Sequence, residues 1–409
     1  MINSGDTAFI LISAALVMLM TPGLALFYGG MARSKNVLGT IMQSFIMLGV
    51  VTIAWVLWGY SLSFGPDHGG IIGSLDWFGL KGVGMDPSPD SGSTVPHLAF
   101  MIFQCMFAII TVALISGAFA ERMKFNAFLI FAILWTTLVY NPLAHWVWGV
   151  GGWMGKMGAL DFAGGTVVHI SSGISALAAA LIIGKRRGYG KIAYIPHNLP
   201  MTITGAGLLW FGWFGFNAGS ALACNGLAAS AFVVTHVASA TAALSWIIVE
   251  WAHRGKPTTL GAASGAVAGL VVITPASGFV SPMSAIIIGG LGGMICYGGV
   301  LLKSKLGYDD SLDVVGIHGI GGTWGALATG LFASTLVNPD GANGLFFGNP
   351  GQLRIQLLSV LATLIFAFIM TAVILKVVDM IVGLRISDEE EEKGLDISQH
   401  NEAGYTLSS

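Results

Sequence analysis

Two histidines stand out, His169 in the stretch GGTVVHISSG and His318 in DVVGIHGIGG, both apolar and rich in glycine. A neutral imidazole has one donor and one acceptor nitrogen. Two that meet can therefore share a proton and offer both kinds of partner to a small polar solute. One histidine buried in apolar sequence reads most simply as a structural hydrogen bond. Two at corresponding positions read as function, and Asp161 and Asp310 each stand eight residues before one of them. Asp161 lies where a carboxylate would satisfy the free N–H groups at a helix start, or alternatively favour a cation nearby. Asp310 and Asp313 carry the same ambiguity, nearer a loop. Aromatic residues are the other signal. Phe103 and Phe107 share a helix face, while Trp148, Trp213 and Phe216 fall near the expected outer ends of helices. They are either packing and interface aromatics or a cation site, since ring faces attract cations by roughly 0.5–2 kcal/mol. Ser220 adds an acceptor.

The elements that hold these residues follow from composition. Of 409 residues, 55% are hydrophobic and 9% charged, against about 25% charged in soluble domains. With a mean hydropathy of +0.79, the solvent is lipid. The apolar blocks have the length of helices that cross a hydrocarbon core of about 30 Å, and the run from Ile10 to Leu26 lacks the alternation of a membrane β-barrel. The spans are predicted at about 8–30, 37–64, 97–120, 126–143, 162–184, 199–217, 228–251, 258–274, 282–302, 313–335 and 353–384. The expectation is an all-α polytopic protein of eleven transmembrane helices, whose first run lacks the basic region of a cleavable signal. Glycines at 261, 265 and 269 suit close helix packing. Cys105, Cys224 and Cys296 suggest small packing residues rather than a disulfide or metal framework, and no metal or other cofactor is expected. A net charge of −2 argues against nucleic acid.

Basic residues orient the spans. Alternate loops carry Arg33, Lys35, Arg122, Lys124, Lys185, Arg186, Arg187, Lys191, Arg254, Lys256, Lys303 and Lys305, the opposite ones only Lys81, Lys156 and Arg354. The N-terminus is therefore expected outside and the C-terminus inside. The transport-type domain is read as 1–384, and the tail 385–409, with its Glu389–Glu392 run, as a solvated cytoplasmic segment. The outer segment 65–96 contains a short apolar stretch expected to pack on the bundle. The histidine and aspartate pairs, with Gly23, Phe27 and Gly30 against Gly212, Phe216 and Gly219, suggest an inverted repeat of spans 1–5 and 6–10, about 8–184 and 199–335, with span 11 outside it.

Six motifs then resemble the ammonium transporter family, the Amt/Mep/Rh group, over nearly the whole chain: TPGLALFYGG at 21–30, FQCMFAIIT at 103–111, LDFAGGTVVHISSG at 160–173, GWFGFNAGSA at 212–221, AGLVVITPASGFV at 268–280 and SLDVVGIHGIGG at 311–322. The ending GLDISQH at 394–400 resembles microbial members. The resemblance implies eleven spans per subunit in a homotrimer with one pore each, and residence in the cell membrane. It implies an ammonium-recruiting site at Phe107, Trp148 and Ser220, a phenyl gate at Phe107 and Phe216, a central pair at His169 and His318, and an outer acidic residue at Asp161. In the family the tail and cytoplasmic loops engage PII signalling proteins. The expected function is transport: ammonium docks, loses its proton and crosses as ammonia, which avoids carrying a desolvated cation. An ammonium sensor is the alternative, although the tail offers no output domain. An intramembrane hydrolase built on His169 with Ser171 or Ser172 fails for want of a nucleophile elbow.

Overall fold

The computed structural model describes residues 1–88 and 92–405. The apolar runs become helices α1 Ser4–Met31, α2 Ser34–Phe64, α3 His97–Ala118, α4 Phe125–Met157 with a break at 149–152, α5 Gly165–Ile183, α6 Leu199–Gly219, α7 Gly226–Arg254, α8 Thr259–Ile273, α9 Pro282–Leu306, α10 Val315–Ile320 continuing as Gly321–Phe332, and α11 Pro350–Val382. Among the described residues, nine of these are long and apolar enough to cross a membrane. Helix α8 is apolar but shorter. In α10, His318 and a series of glycines lower the apolar content of the helix. The outer faces remain apolar, as with Leu361, Ile365 and Ile369 of α11 and Leu244 and Ile248 of α7. Lipid is the solvent that such faces match.

Helix ends differ from expectation by a few residues, and two of these differences bear on the site. The fourth helix runs past 143 to Trp148 because a π-helical turn, Thr136–Tyr140, precedes Pro142. A proline in the first turn after such a register shift has no N–H to lose. The fifth begins at Gly165 rather than 162, after Gly164 at φ 116°. Beyond the helices, the segment 65–96 forms a two-residue antiparallel pair, β1 Asp67–His68 with β2 Ile72–Gly73. That segment packs on the bundle: Trp77 stacks on Tyr60 at 5.6 Å between ring centroids, and Trp146 Nε1 donates to the Ile71 carbonyl at 2.8 Å. Residues 89–91 of it lie outside the described residues.

Helices α3 and α5 are almost wholly enclosed, whereas α11 is peripheral. Helix α1 lies against α6 through small residues. A Cβ on Gly30 would meet Thr202, and one on Gly219 would meet Ser13. Some buried polar groups find partners across helices, as where Trp135 Nε1 donates to Ser175 and Thr371 hydroxyls at 3.0 Å.

On the basic face the loops are bound by buried ion pairs. Arg33 meets Glu121 at 2.7 Å, Arg186 meets Asp309 at 2.8 Å, and fully buried Arg122 donates to the Asp309 carbonyl and Ser311 hydroxyl, both at 2.6 Å. The Glu389–Glu392 run is not uniformly solvated, contrary to the sequence reading. Glu391 is 2% exposed; one carboxylate oxygen pairs with Arg385 at 2.7 Å and the other accepts the Arg187 N–H at 2.7 Å. The cause is an excess of cations on these loops, which lets one glutamate be buried fully paired. Behind it, helix α12 Asp388–Lys393 and helix α13 Leu395–His400 dock on the start of α2, where Asp396 accepts the Gly39 N–H and Asn36 accepts the Leu395 N–H, both at 2.8 Å.

Burial alone would raise the Glu121 and Asp309 carboxyls, but Arg33 and Arg186 at the first, and Arg186 and Arg122 at the second, hold both below their ordinary range. A depressed carboxylate contributes stability above its unfolded pKa that is lost as pH falls through its folded one. The melting temperature of the purified protein should therefore hold from neutral pH down to about 5 and fall below about 4. Glu121→Gln, which leaves Arg33 without a carboxylate while Arg186 keeps Asp309, should lose about 3 kcal/mol at neutral pH and show a smaller acid-induced drop. An identical pH profile in both proteins would contradict this assignment.

Candidate functional site

Helices α5 and α10 cross at the centre of the bundle with their backbones in contact. A Cβ on Gly173 would stand 2.1 Å from the Gly319 nitrogen, and one on Gly322 would stand 2.9 Å from the Cβ of His169. Glycine is required here because any side chain would force the helices apart. Both helices open with π-helical turns, Gly165–Ile170 and Val315–Ile320, and each turn carries one histidine. The wider turn displaces the imidazoles from the regular helical position, a feature recurrent at functional sites. His169 Nδ1 and His318 Nδ1 stand 3.3 Å apart. His169 Nε2 is buried without a protein partner.

An aspartate closes the start of each turn. Asp161 accepts the N–H groups of Gly164 and Thr166 at 2.8 Å, together with that of Gly165 and the Thr166 hydroxyl. Asp310, expected to be the weaker case, is buried, and its Oδ2 accepts the Val315 N–H at 2.7 Å. Its Oδ1 has no partner. Burial pushes the Asp310 carboxyl up to about 6, with Lys303 opposing and Asp313 adding to the shift.

The aromatic residues divide into two groups. Phe107, Trp148 and Ser220 line a vestibule of about 180 Å³, with Phe64, Phe100 and Phe162. At its base Phe107 stacks on Phe216 with centroids 4.1 Å apart. Beyond lies a narrow cavity bounded by His169, His318, Trp213, Phe216, Ile110 and Val168, with about 10 Å³ of free volume. That is near the threshold of roughly 10–15 Å³ for one water. Trp213 therefore does not join the vestibule group. Its ring stacks on His169 at 5.4 Å, and its Nε1 donates to Thr274 at 2.9 Å. The tertiary crossing, not depth along α6, decides which chamber it faces. Phe103 does not line the vestibule either; it sits fully buried behind Phe107, 4.9 Å between centroids.

The sequence reading missed Gln104. It is 8% exposed, lines the vestibule, and its Oε1 has no partner. Its one sequence signal is position: it lies three residues before Phe107, on the same helical face.

The sequence model of the Ammonium Transporter Family matches residues 8–405. The chain belongs to the ammonium transporter family. It is 58% identical over 402 residues to the ammonium transporter of Bacillus subtilis, covering 98% of each chain. The fold resembles that of Candida albicans Mep2, with a TM-score of 0.90 and 38% identity, covering 95% of this chain and 88% of that one. It also resembles a protein described as a sensor Amt protein, with a TM-score of 0.89 and 28% identity, covering 97% and 98% of the respective chains. This ammonium transporter family member is thus a polytopic membrane transporter and not an enzyme.

The backbone contact at Gly173 can be tested by adding one methyl group. Gly173→Ala should lower the melting temperature, at a cost of about 1–3 kcal/mol or more, and abolish transport. Gly207→Ala, which has nothing within 4 Å, should leave both intact. Full transport by Gly173→Ala would refute the requirement for that crossing.

Proposed function

We propose that the chain recruits ammonium at Phe107, Trp148 and Ser220, removes a proton, and conducts ammonia past the Phe107–Phe216 gate and the His169–His318 pair. The observation that carries this reading is the inner cavity, with room for about one water and two imidazoles in contact within it. A bare cation in that space would be stripped of water with no carboxylate lining it, a cost of many kcal/mol. Ammonia has no such cost. Potassium has no proton to give up and would be excluded.

Side-chain geometry supports particular roles. Trp148 Nε1 is committed to the Asp161 carbonyl at 2.9 Å, so its ring face is what an ammonium ion meets. Ser220 Oγ spends its hydrogen on the Phe216 carbonyl at 2.9 Å and keeps lone pairs to accept from the ion. Gln104 joins this site, its unpartnered amide oxygen turning to accept a further N–H. Trp213 and Phe103 act from behind, holding His169 and Phe107. Asp161 holds the His169 turn and biases the vestibule toward cations; Asp310 does the first of these for the His318 turn.

The architecture proposed for this path has eleven spans, the N-terminus outside, the C-terminus inside, a transport domain over 1–384 and a cytoplasmic tail over 385–409. Its inverted repeat, about 8–184 and 199–335, is supported by exchange of contacts. Replacing Gly30 by Gly219 turns the contact with Thr202 into the contact with Ser13, and Asp161 and Asp310 each receive an N–H from five residues on. A homotrimer in the cell membrane, with a PII-type protein as partner at the cytoplasmic face, completes the reading. The sensor alternative draws on the likeness to the sensor Amt protein. Ammonium uptake by liposomes holding only this chain would favour transport.

Trp148→Ala with Ser220→Ala should weaken capture about tenfold at low ammonium and little at saturation, since rings and hydroxyl contribute binding. Gln104→Leu should act in the same direction and more weakly. Equal loss at all concentrations would argue against a recruiting site. Replacing His169 or His318 with Asp should let ammonium, and potassium with it, pass as an ordinary cation, read as current across liposome membranes under each gradient. Potassium current in the parent protein would overturn the deprotonation step.

A further inference from the structure

Away from the conduction path, a recess of about 520 Å³ opens between α5, α9, α10 and α11. Its walls are aliphatic, from Leu177 and Leu181 on one side, Leu302 and Leu306 on the other, and Leu364 across from them. Its floor is the crossing of the pore helices, where Gly173 meets Gly319 behind the turn that carries His318. Irregular backbone at membrane depth is tolerated where it is shielded from lipid and water by packed groups. Here a π-helical turn backs onto an open recess, so something apolar must cover it.

The mouth of the recess identifies the cover. Leu181, Leu306, Gly307 and Tyr308 lie at the end nearest the basic loops. Lys185 reaches across: its Nζ is 3.8 Å from where a Cβ on Gly307 would stand, and 5.3 Å from the Tyr189 ring centre. The Tyr189 hydroxyl donates to the Tyr308 carbonyl at 2.9 Å, fixing this rim. Lys185 and Lys305 are exposed, and neither is among the ion pairs of the described residues. The nearby carboxylates are engaged elsewhere: Asp309 pairs with Arg186 and Asp313 with Lys303 at 2.5 Å, while Asp310 is enclosed. A greasy slot under an unpaired cation matches a lipid tail below an anionic headgroup.

We propose that this recess binds one anionic phospholipid of the leaflet facing the basic loops, its headgroup on Lys185 and one acyl chain against the back of the His318 turn. The lipid keeps water from the π-helical turn by filling the recess.

The full chain, purified in detergent, should be titrated with phosphatidylglycerol and with phosphatidylcholine of the same acyl chains, and binding counted by native mass spectrometry. At least one phosphatidylglycerol per chain should bind several-fold more tightly than phosphatidylcholine. Lys185→Gln should weaken it about fivefold, whereas Lys256→Gln, in the loop between α7 and α8, should change nothing. Leu181→Trp, which fills the recess, should remove the tight site for both lipids. Lys185 is exposed, so its variant can be checked for an unchanged melting temperature without lipid. Equal affinity for the two lipids, or an unaltered Lys185→Gln titration, overturns the proposal. So would a Leu181→Cys variant that cross-links chain to chain at this position in membranes, since a second copy would then occupy the recess. None of these readouts depends on transport, so they stand apart from the conduction mechanism.

Discussion

The approach of α5 to α10 is the constraint on which the site depends. Two helices carrying ordinary side chains keep their axes about 8–10 Å apart, too far for short imidazole arms to meet at hydrogen-bond range while their helices stay packed. Gly173, Gly319 and Gly322 remove the spacers, and the Nδ1 atoms come within 3.3 Å. The glycines that look like poor helix formers are there for this contact.

Close approach has a cost in backbone hydrogen bonding, because each histidine sits in a π-helical turn at the helix entrance. Unsatisfied N–H groups in a lipid setting are expensive. Asp161 and Asp310 take them up from outside the helix, one at each entrance. In the proposed pathway the same carboxylate that completes the His169 turn also faces the side from which a cation arrives. One group then serves folding and substrate preference together, so removing it would disturb both.

The basic face follows a different logic. There the arginines that orient a membrane protein are also buried structural groups, with Arg122 wholly enclosed and Arg33 and Arg186 sharing Glu121. The tail joins this network through Glu391 and Asp396. Loops from both halves of the chain are thereby tied to the start of α2, and the tail is part of the folded body rather than an appendage.

Much was legible in the sequence because lipid imposes simple rules. Blocks of about 20 apolar residues marked the helices; the histidine pair was visible because polar residues there are rare, and the six motifs pointed to the family that the comparisons establish. The family resemblance, rather than periodicity, groups Phe107, Trp148 and Ser220, and they do share one vestibule. What escaped is what depends on rotation and contact across helices. Periodicity places Trp213 on α6 but cannot say which chamber its ring enters. It places Phe103 beside Phe107 without telling lining from backing. Gln104 looks like any polar residue until its oxygen is seen enclosed with no partner. Glu391 reads as solvated because one partner, the Arg187 N–H, comes from a loop 204 residues away, and the other, Arg385, meets it only once the tail has folded back. A sequence by itself determines which residues lipid will accept and where helices run. Only the tertiary structure decides which side chains meet, because that depends on helix crossings set by close packing rather than by local preference.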